Sequence, residues 1–192
     1  SFRDLPFLGD PEHGPRQLPE GVVSANARGL GGLPDHVVLP AGDLKVAVTG
    51  VTLWSKPYLQ PAGVEQLDPV DALSALLPSL NAEADVVVVL AYGLGKRAKE
   101  LASLDIDVLI EADGLRTRYD PVVWEGTVWV RGYEQTQVLG ELRLTVSEGE
   151  VVRAFDRGVD LDGDIPWPRA WRKRYKRDLA AVREAQERTL AP

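Results

Sequence analysis

The run Asp85-Val86-Val87-Val88-Val89-Leu90-Ala91 decides the fold class of this chain. β-Branched residues favour strands, and a nearly continuous apolar run is typical of a strand buried on both faces of a sheet. A second run of this kind, Asp107-Val108-Leu109-Ile110, follows a glycine-containing loop and a short helical segment at 96–104. Strands of this kind, separated by helices, indicate an α/β core.

The segment before this run contributes a hairpin and a helix. The strand-like stretches at 36–39 and 44–49 flank a tight turn and predict two antiparallel strands. Asp68 and Pro69 predict a helix start, with the aspartate as the N-cap and the proline at the first helical position. Pro78 is expected to kink or end that helix, because a proline inside a helix loses a backbone hydrogen bond.

The segment after the core strands alternates apolar and polar residues, which predicts antiparallel strands at 127–130, 138–146 and 150–155. A basic helix is predicted from about 169 to 188, with its inward stripe at Trp171, Tyr175, Leu179 and Val182. The fold class is therefore α/β, with a mixed β-sheet, helices against it and a C-terminal helix. We expect one domain at 1–165, followed by a basic amphipathic helix at 166–192.

The amino-acid composition excludes several classes of function. The chain has 192 residues, a formal net charge of −7, no cysteine and only two histidines, His13 and His36. Zinc ribbons, iron–sulfur clusters, covalent haem and thiol catalysis all need cysteine and are excluded. The acidic balance argues against nucleic-acid binding, and no apolar run approaches the roughly 20 residues of a membrane-spanning helix. Without a partner histidine, His13 and His36 are expected to be a loop and a strand residue.

The order and spacing of four segments resemble a known family, the 5′-nucleotidase and UDP-sugar hydrolase branch of the calcineurin-like metallophosphoesterases. The four segments are Lys45–Thr52, Asp68-Pro69, Ala84–Leu90 and Asp105–Ile110. The stretch around Leu139–Leu142 is similar to the family's closing hairpin, and Pro19–Asn26 to the strand that precedes these elements. The resemblance covers about residues 9–178 and implies half or more of an αββα sandwich, with its N-terminal part missing from this chain.

The resemblance also implies where a pair of metal ions would bind, and the ligand motifs of the family are degenerate here. The family's single histidine after the buried strand is replaced by Tyr92, and its later histidine pair by Asp113 and Leu115. Asp10 stands for an asparagine ligand upstream. Only Asp10 and Asp113 remain as vestigial metal ligands, with Glu12 or Glu111 nearby at best, and two carboxylates do not supply the ligands that two catalytic ions need.

These motifs predict a non-catalytic structural or interaction module without a cofactor, which the resemblance places in an exported, periplasmic setting, for example in a respiratory or multihaem assembly. The alternative is a metal-dependent phosphohydrolase, a nucleotidase or phosphodiesterase using Mn, Mg or Zn, whose missing ligands come from an absent N-terminal half. The expected partner is accordingly another protein or that missing segment. Hydrolysis of nucleoside monophosphates with added Mn²⁺ separates the two.

Two further features have a functional and a structural interpretation. Gly93, Gly95 and Lys96 precede a short helix and could hold an anion, although loops between strands and helices also carry glycine for geometric reasons. The basic C-terminal helix could contact an acidic surface of this or another protein, an anionic membrane or a nucleic acid. The structural interpretation is a solvated outer face on a helix held by Trp171, Tyr175 and Leu179.

Overall fold

A computed structural model describes residues 21–29, 33–53, 64–112, 121–132, 138–161 and 168–190. The chain divides into two units, Ser1–Val159 and Asp160–Pro192, and each is described by itself. In the described part, no helix is both long enough and apolar enough to cross a membrane.

The first unit is built on a six-stranded mixed sheet with the strand order β2-β3-β5-β6-β8-β7. Its strands are β2 (His36–Ala41), β3 (Leu44–Thr52), β5 (Val86–Tyr92), β6 (Val108–Glu111), β7 (Val122–Trp124) and β8 (Thr127–Arg131). The four central strands β3, β5, β6 and β8 are parallel, and the edge strands β2 and β7 are antiparallel to their neighbours. The predicted mixed α/β sheet is confirmed.

Two helices, α1 (Pro69–Glu83) and α2 (Ala98–Ala102), cover one face of this sheet. A 3₁₀ turn at Gly95–Arg97 leads into α2. The main core lies between the helices and the sheet, and its largest fully buried apolar side chains include Leu73, Leu80, Leu101 and Leu109. Alternate residues of β5 belong to this core, because successive strand residues point to opposite faces.

A long hairpin covers part of the opposite face of the sheet. It consists of β9 (Val138–Ser147) and β10 (Glu150–Asp160), which pair only with each other in the described part of the chain. Its apolar residues contact a second, smaller core on the six-stranded sheet, formed by Val108, Val128, Val130, Leu142, Leu144, Val151 and their neighbours. The first unit therefore has three layers: helices, six-stranded sheet and hairpin. This is the helix–sheet–sheet part of the expected αββα sandwich.

Two local predictions differ from the structure. Helix α1 continues through Pro78 to Glu83, because Leu77 and Leu80 on either side of the proline are both buried against the sheet. The segment at 22–26, which the resemblance places in a strand, is irregular. The strand β1 (Ala27–Arg28) follows it and pairs with β4 (Glu65–Gln66). The backbone amides of Ser24 and Ala25 still donate to Pro34 and Gly50 carbonyls, so the segment is held without a regular ladder. The sequence also predicts a short helix near Pro15–Leu18, and these residues lie outside the described part of the chain.

The second unit contains helix α3 (Arg169–Leu190), which begins where the sequence predicts it. The stripe expected to pack inward is exposed at its first two positions: Trp171 is 65% exposed and Tyr175 is 53% exposed. Leu179 is half-buried. The prediction that the two aromatic residues are packed was therefore wrong.

Candidate functional site

The four parallel strands end at a common edge, which is the candidate site of this fold. Their last residues are Thr52, Tyr92, Glu111 and Arg131. Thr52 pairs with Tyr92, while Glu111 lies between Ala91 and Arg131 on neighbouring strands. Ligands of open α/β sheets bind in the crevice outside the carboxyl ends of the strands. We call this the carboxyl edge.

Glu111 is the buried charged group of this edge. Its side chain is fully buried, and Oε2 lies 2.8 Å from Nη2 of Arg131. The indole Nε1–H of Trp129 donates to the same oxygen at 3.2 Å. The Arg131 guanidinium also lies 5.5 Å from the centre of the Trp129 ring. Glu111, Trp129 and Arg131 thus form one cluster, the Glu111 cluster, on two adjacent strands.

The second oxygen of the Glu111 carboxylate, Oε1, has no hydrogen-bond partner among the described residues. A buried carboxylate is costly unless it is paired, and the Arg131 guanidinium supplies that opposite charge through Oε2. The Glu111 cluster therefore contains one buried ion pair, and Oε1 of Glu111 is a hydrogen-bond acceptor that no described residue uses.

The described residues do not fit a pair of divalent ions at this edge. No group of three or more His, Asp or Glu residues suited to a metal ion occurs in the described ranges. Glu111 is the one carboxylate among the strand-end residues, and the Arg131 guanidinium, 2.8 Å away, already neutralises it. Two neighbouring hydrolytic metal ions need several carboxylates and imidazoles. Asp10 and Asp113, the vestigial ligands predicted from the sequence, lie outside the described residues, so that prediction stays untested.

Asn26 fixes the backbone beside the carboxyl edge. Its side chain is fully buried, and its Nδ2 donates to the carbonyls of Thr52 and Leu67 at 2.8 and 3.1 Å. Its Oδ1 accepts from the Thr52 amide at 3.0 Å. One amide group thus ties the end of β3 to the chain entering α1, which sets the position from which the loop after β3 leaves the sheet.

The predicted anion loop follows β5 at the same edge, and its glycines have a geometric reason. Gly93 has φ +73°, and a Cβ there would lie 2.6 Å from the Leu53 carbonyl oxygen. Gly95 also has a positive φ, +56°. The helix that follows has only five residues, too few to build up a large dipole. Lys96 is exposed. Anion binding by Gly93, Gly95 and Lys96 stays a prediction.

Arg97, next to this loop, has a structural role. Its guanidinium donates to both carboxylate oxygens of Asp68, at 2.6 and 3.0 Å, and to Glu100. The hydrogen bond from Arg97 is the main reason that the pKa of Asp68 falls to about 2, and the amides of Asp71 and Val70 add to the effect. Asp68 is thus the predicted N-cap of α1 and also links α1 to the loop after β5.

A cleft of about 590 Å³ lies at the opposite, amino-terminal edge of the parallel strands. Its acidic lining is Asp105, Asp107, Glu125 and Glu150. Asp107 accepts from the Val87 amide at 2.7 Å, and Asp105 accepts from Asn81 at 2.9 Å. Burial raises the pKa of Asp107. The Asp107 carboxylate thus binds the start of β5, and the Asp105 carboxylate binds a residue near the end of α1. The cleft does not belong to the carboxyl edge.

The sequence names Glu111 only as a carboxylate near the vestigial metal ligands, and it does not predict the contacts of Glu111 with Trp129 and Arg131. Trp129 and Arg131 belong to no motif, and nothing in the sequence order shows that β8 inserts between β6 and β7 and brings Arg131 beside Glu111. His36, by contrast, is the strand residue that was predicted. Its ring nitrogens lie 3.1 Å from Asp35 Oδ1 and 3.2 Å from Glu83 Oε2.

Comparison with known proteins shows a likeness of fold. No protein-family model and no curated protein sequence matches this chain. Among solved structures, the sulfate thiohydrolase SoxB of Thermus thermophilus, in complex with glycerol, superposes with a TM-score of 0.73 at 19% identity. The match covers 84% of this chain and 32% of SoxB.

Two further structures show the same fold. A Staphylococcus aureus protein assigned as a 5′-nucleotidase has a TM-score of 0.61 at 21% identity, over 81% of this chain and 36% of its own. The NAD nucleotidase of Haemophilus influenzae has a TM-score of 0.55 at 16% identity, over 74% of this chain and 38% of its own. The fold is that of 5′-nucleotidase-like metallophosphoesterases, as the resemblance implied. The chain spans about a third of the length of each of these proteins.

Proposed function

We propose that this chain is a degenerate 5′-nucleotidase-like metallophosphoesterase domain that acts as a non-catalytic structural or interaction module. The observation that carries the proposal is the ion pair between Glu111 and Arg131 at the carboxyl edge. In this fold, an enzyme needs ligands for paired cations there. Here the buried carboxylate is neutralised by a guanidinium instead.

The chemistry of the two groups supports this interpretation. A guanidinium stays protonated at all physiological pH values, so it does not leave the carboxylate by deprotonation. A divalent ion could bind Glu111 only by displacing Arg131 or by tolerating a positive charge 2.8 Å from its ligand. Tyr92, which replaces the family's histidine after the buried strand, is of a residue type poorly suited to bind a divalent hydrolytic metal ion.

The test measures metal retention and turnover together. The purified chain is incubated with Mn²⁺ or Zn²⁺, freed of unbound metal and analysed for total metal content. The same preparations are assayed on nucleoside monophosphates, a UDP-sugar and a model phosphodiester. We expect far less than one bound ion per chain and no hydrolysis above the protein-free rate.

Two variants make the result specific. Asp113→Asn removes the vestigial ligand that follows β6, and Asp43→Asn removes a carboxylate from the β2–β3 turn, at the opposite end of the parallel strands. The module proposal predicts that both variants behave like the wild type. Near-stoichiometric Mn²⁺ with turnover that is lost in Asp113→Asn and kept in Asp43→Asn would establish the phosphohydrolase alternative instead.

We also propose that the module works in an exported assembly with another protein, for example one of respiratory character. The support is the fold likeness to SoxB and to the two nucleotidase structures, of each of which this chain matches only about a third. Co-purification of a stable partner with the chain expressed in its own host tests this proposal. Recovery of the chain only as a monomer from the cytoplasm would contradict it.

A further inference from the structure

Helix α3 exposes aromatic residues in the middle of a basic segment. We define the basic segment as Arg169–Arg177, in which six of nine residues are Lys or Arg and none is acidic. Trp171 is 65% exposed and Tyr175 is 53% exposed, although both are large and partly apolar. The basic segment therefore presents apolar area and positive charge together.

The helix geometry places these two properties on adjoining faces. At 3.6 residues per turn, Trp171, Tyr175 and Leu179 fall within about 80° around the helix axis. Arg172 follows on one side of this stripe and Arg174 on the other. Long Arg and Lys side chains can extend along an apolar surface and keep their charged ends in a polar layer. The arrangement is that of a helix lying in the plane of an interface between apolar and charged layers.

The basic segment has few acidic neighbours along its own helix. Asp178 accepts from Arg177 at 3.0 Å and lies 3.5 Å from Arg174. In the sequence, Asp178 is the only acidic residue at positions 165–183. With six basic residues and the one acidic Asp178, residues 169–178 carry a net charge of +5. This charge needs an anionic counterpart.

We propose that the basic segment of α3 binds the surface of an anionic lipid bilayer. Tryptophan and tyrosine are enriched at the membrane–water interface, where one part of the ring is apolar and the other polar. Each Lys or Arg near an anionic leaflet adds about 1 kcal/mol. Lysines are depleted in protein–protein interface cores, whereas a lipid surface accepts Lys and Arg equally, so Lys173 and Lys176 favour lipid over an acidic protein.

The remainder of the chain is acidic, and salt screens its repulsion from an anionic surface. Repulsion from the membrane falls off within a Debye length of about 8 Å at physiological salt. The proposal concerns α3 alone and does not depend on the proposed function of the sheet unit.

The experiment is cosedimentation of the full chain with two kinds of vesicle, pure phosphatidylcholine and a phosphatidylcholine–phosphatidylglycerol mixture. We expect binding to the mixed vesicles, little binding to the neutral ones, and loss of binding at high salt. The double variant Arg172→Gln/Lys173→Gln removes two charges and should weaken binding about 30-fold. Trp171→Ala should weaken it about tenfold, because the anchoring ring is lost.

A matched control removes the same number of charges from the sheet unit. Lys45→Gln/Arg153→Gln changes two exposed cations outside α3 and should bind the mixed vesicles like the wild type. Circular dichroism should show that every variant keeps the wild-type fold, because all the substituted side chains are exposed.

Three outcomes would overturn the proposal. The first is a wild-type chain that does not bind the mixed vesicles, and the second is equal binding by the wild type and the α3 variants. The third is salt-sensitive retention on immobilised polyglutamate without vesicle binding, which would assign the basic segment to an acidic protein surface.

Discussion

At the scale of single residues, the Glu111 cluster is the feature that distinguishes this carboxyl edge. Glu111 and Arg131 neutralise each other across two strands, and Trp129 supports both of them. A buried pair of this kind adds little net stability, because the charges must be desolvated first. Removing one partner is different, because it leaves the other charged and unpaired in the core.

Replacing Arg131 alone should therefore destabilise the fold strongly. We expect Arg131→Met to lower the free energy of unfolding by about 3–5 kcal/mol, because Glu111 is left without its counter-charge. The double variant Glu111→Gln/Arg131→Met should recover most of this loss. Urea denaturation of the wild type and the single and double variants measures both effects.

The control for this prediction is an exposed pair. Arg143, 67% exposed, pairs with Glu141, and Arg143→Met should change the free energy of unfolding by less than about 1 kcal/mol. If Arg131→Met is as stable as Arg143→Met, the Glu111 carboxylate is not the buried, paired anion described above.

Sequence reasoning located the candidate edge but not its chemistry. The run at 85–91 and the strand at 107–110 are read from local β-branched patterns, so the ends of β5 and β6 were correctly placed. The partner of Glu111 is set by the register between β6 and β8, which no local pattern encodes. A single sequence therefore does not predict which strands pair when they are distant along the chain.

At the scale of elements, α1 shows how local signals and packing compete. Asp68 and Pro69 gave the start of the helix correctly, because capping is a property of neighbouring residues. The helix does not end at Pro78, which was one of the two effects expected there. A proline inside a helix lowers the stability of the fold by about 3 kcal/mol. Burial of one leucine side chain contributes about 1.5–3 kcal/mol to that stability, so the burial of Leu77 and Leu80 together compensates for Pro78.

The cap itself can be tested with two substitutions at Asp68. Asp68→Ala removes both the cap and the Arg97 pair, and we expect it to cost about 1–2 kcal/mol. Asp68→Asn keeps a capping oxygen and loses the charge, so it should cost less than about 1 kcal/mol, because the exposed ion pair is screened by solvent. Equal losses in the two variants would show that the ion pair and not the cap stabilises α1. Thermal unfolding at neutral pH measures the difference.

The same variants predict a pH dependence. The pKa of Asp68 falls from 3.8 to about 2 in the folded protein, so its charge stabilises the fold fully above about pH 4. This contribution is lost as the pH falls towards 2, because the carboxylate becomes protonated in both states. The difference in unfolding temperature between wild type and Asp68→Asn should therefore shrink between pH 4 and pH 2. A constant difference over this range would contradict the lowered pKa.

At the scale of the whole sheet unit, the third layer depends on the apolar face of one hairpin. Leu142 and Leu144 of β9 contact Val108, Val128 and their neighbours on the sheet. The gap between the strands predicted at 138–146 and 150–155 is the hairpin turn of the structure, where Glu148 and Gly149 both have positive φ, as tight hairpin turns require. The sequence did not show that the hairpin leaves the main sheet and packs across it, because that depends on which apolar faces remain uncovered.

A charge on the inward face of the hairpin should release it selectively. Leu142→Asp places a carboxylate against the sheet, and we expect the amides of β9 and β10 to exchange faster while those of β5 and β6 stay protected. Leu139→Asp, at a position of the same strand that is 58% exposed, is the control and should leave all protection unchanged. Hydrogen exchange monitored by mass spectrometry reports both regions. Equal acceleration throughout the unit would mean that the hairpin and the sheet open together.

The strand order of the sheet has a consequence for how the chain emerges from the ribosome. β6 lies between β5 and β8, and β8 is synthesised only after β7, the strand that ends up outside it. Until β8 appears, β6 is an apolar strand with unsatisfied backbone groups along one side, which can pair with the same strand of a neighbouring nascent chain. A holdase bound during this interval, or slower translation at reduced temperature, should raise the yield of soluble protein.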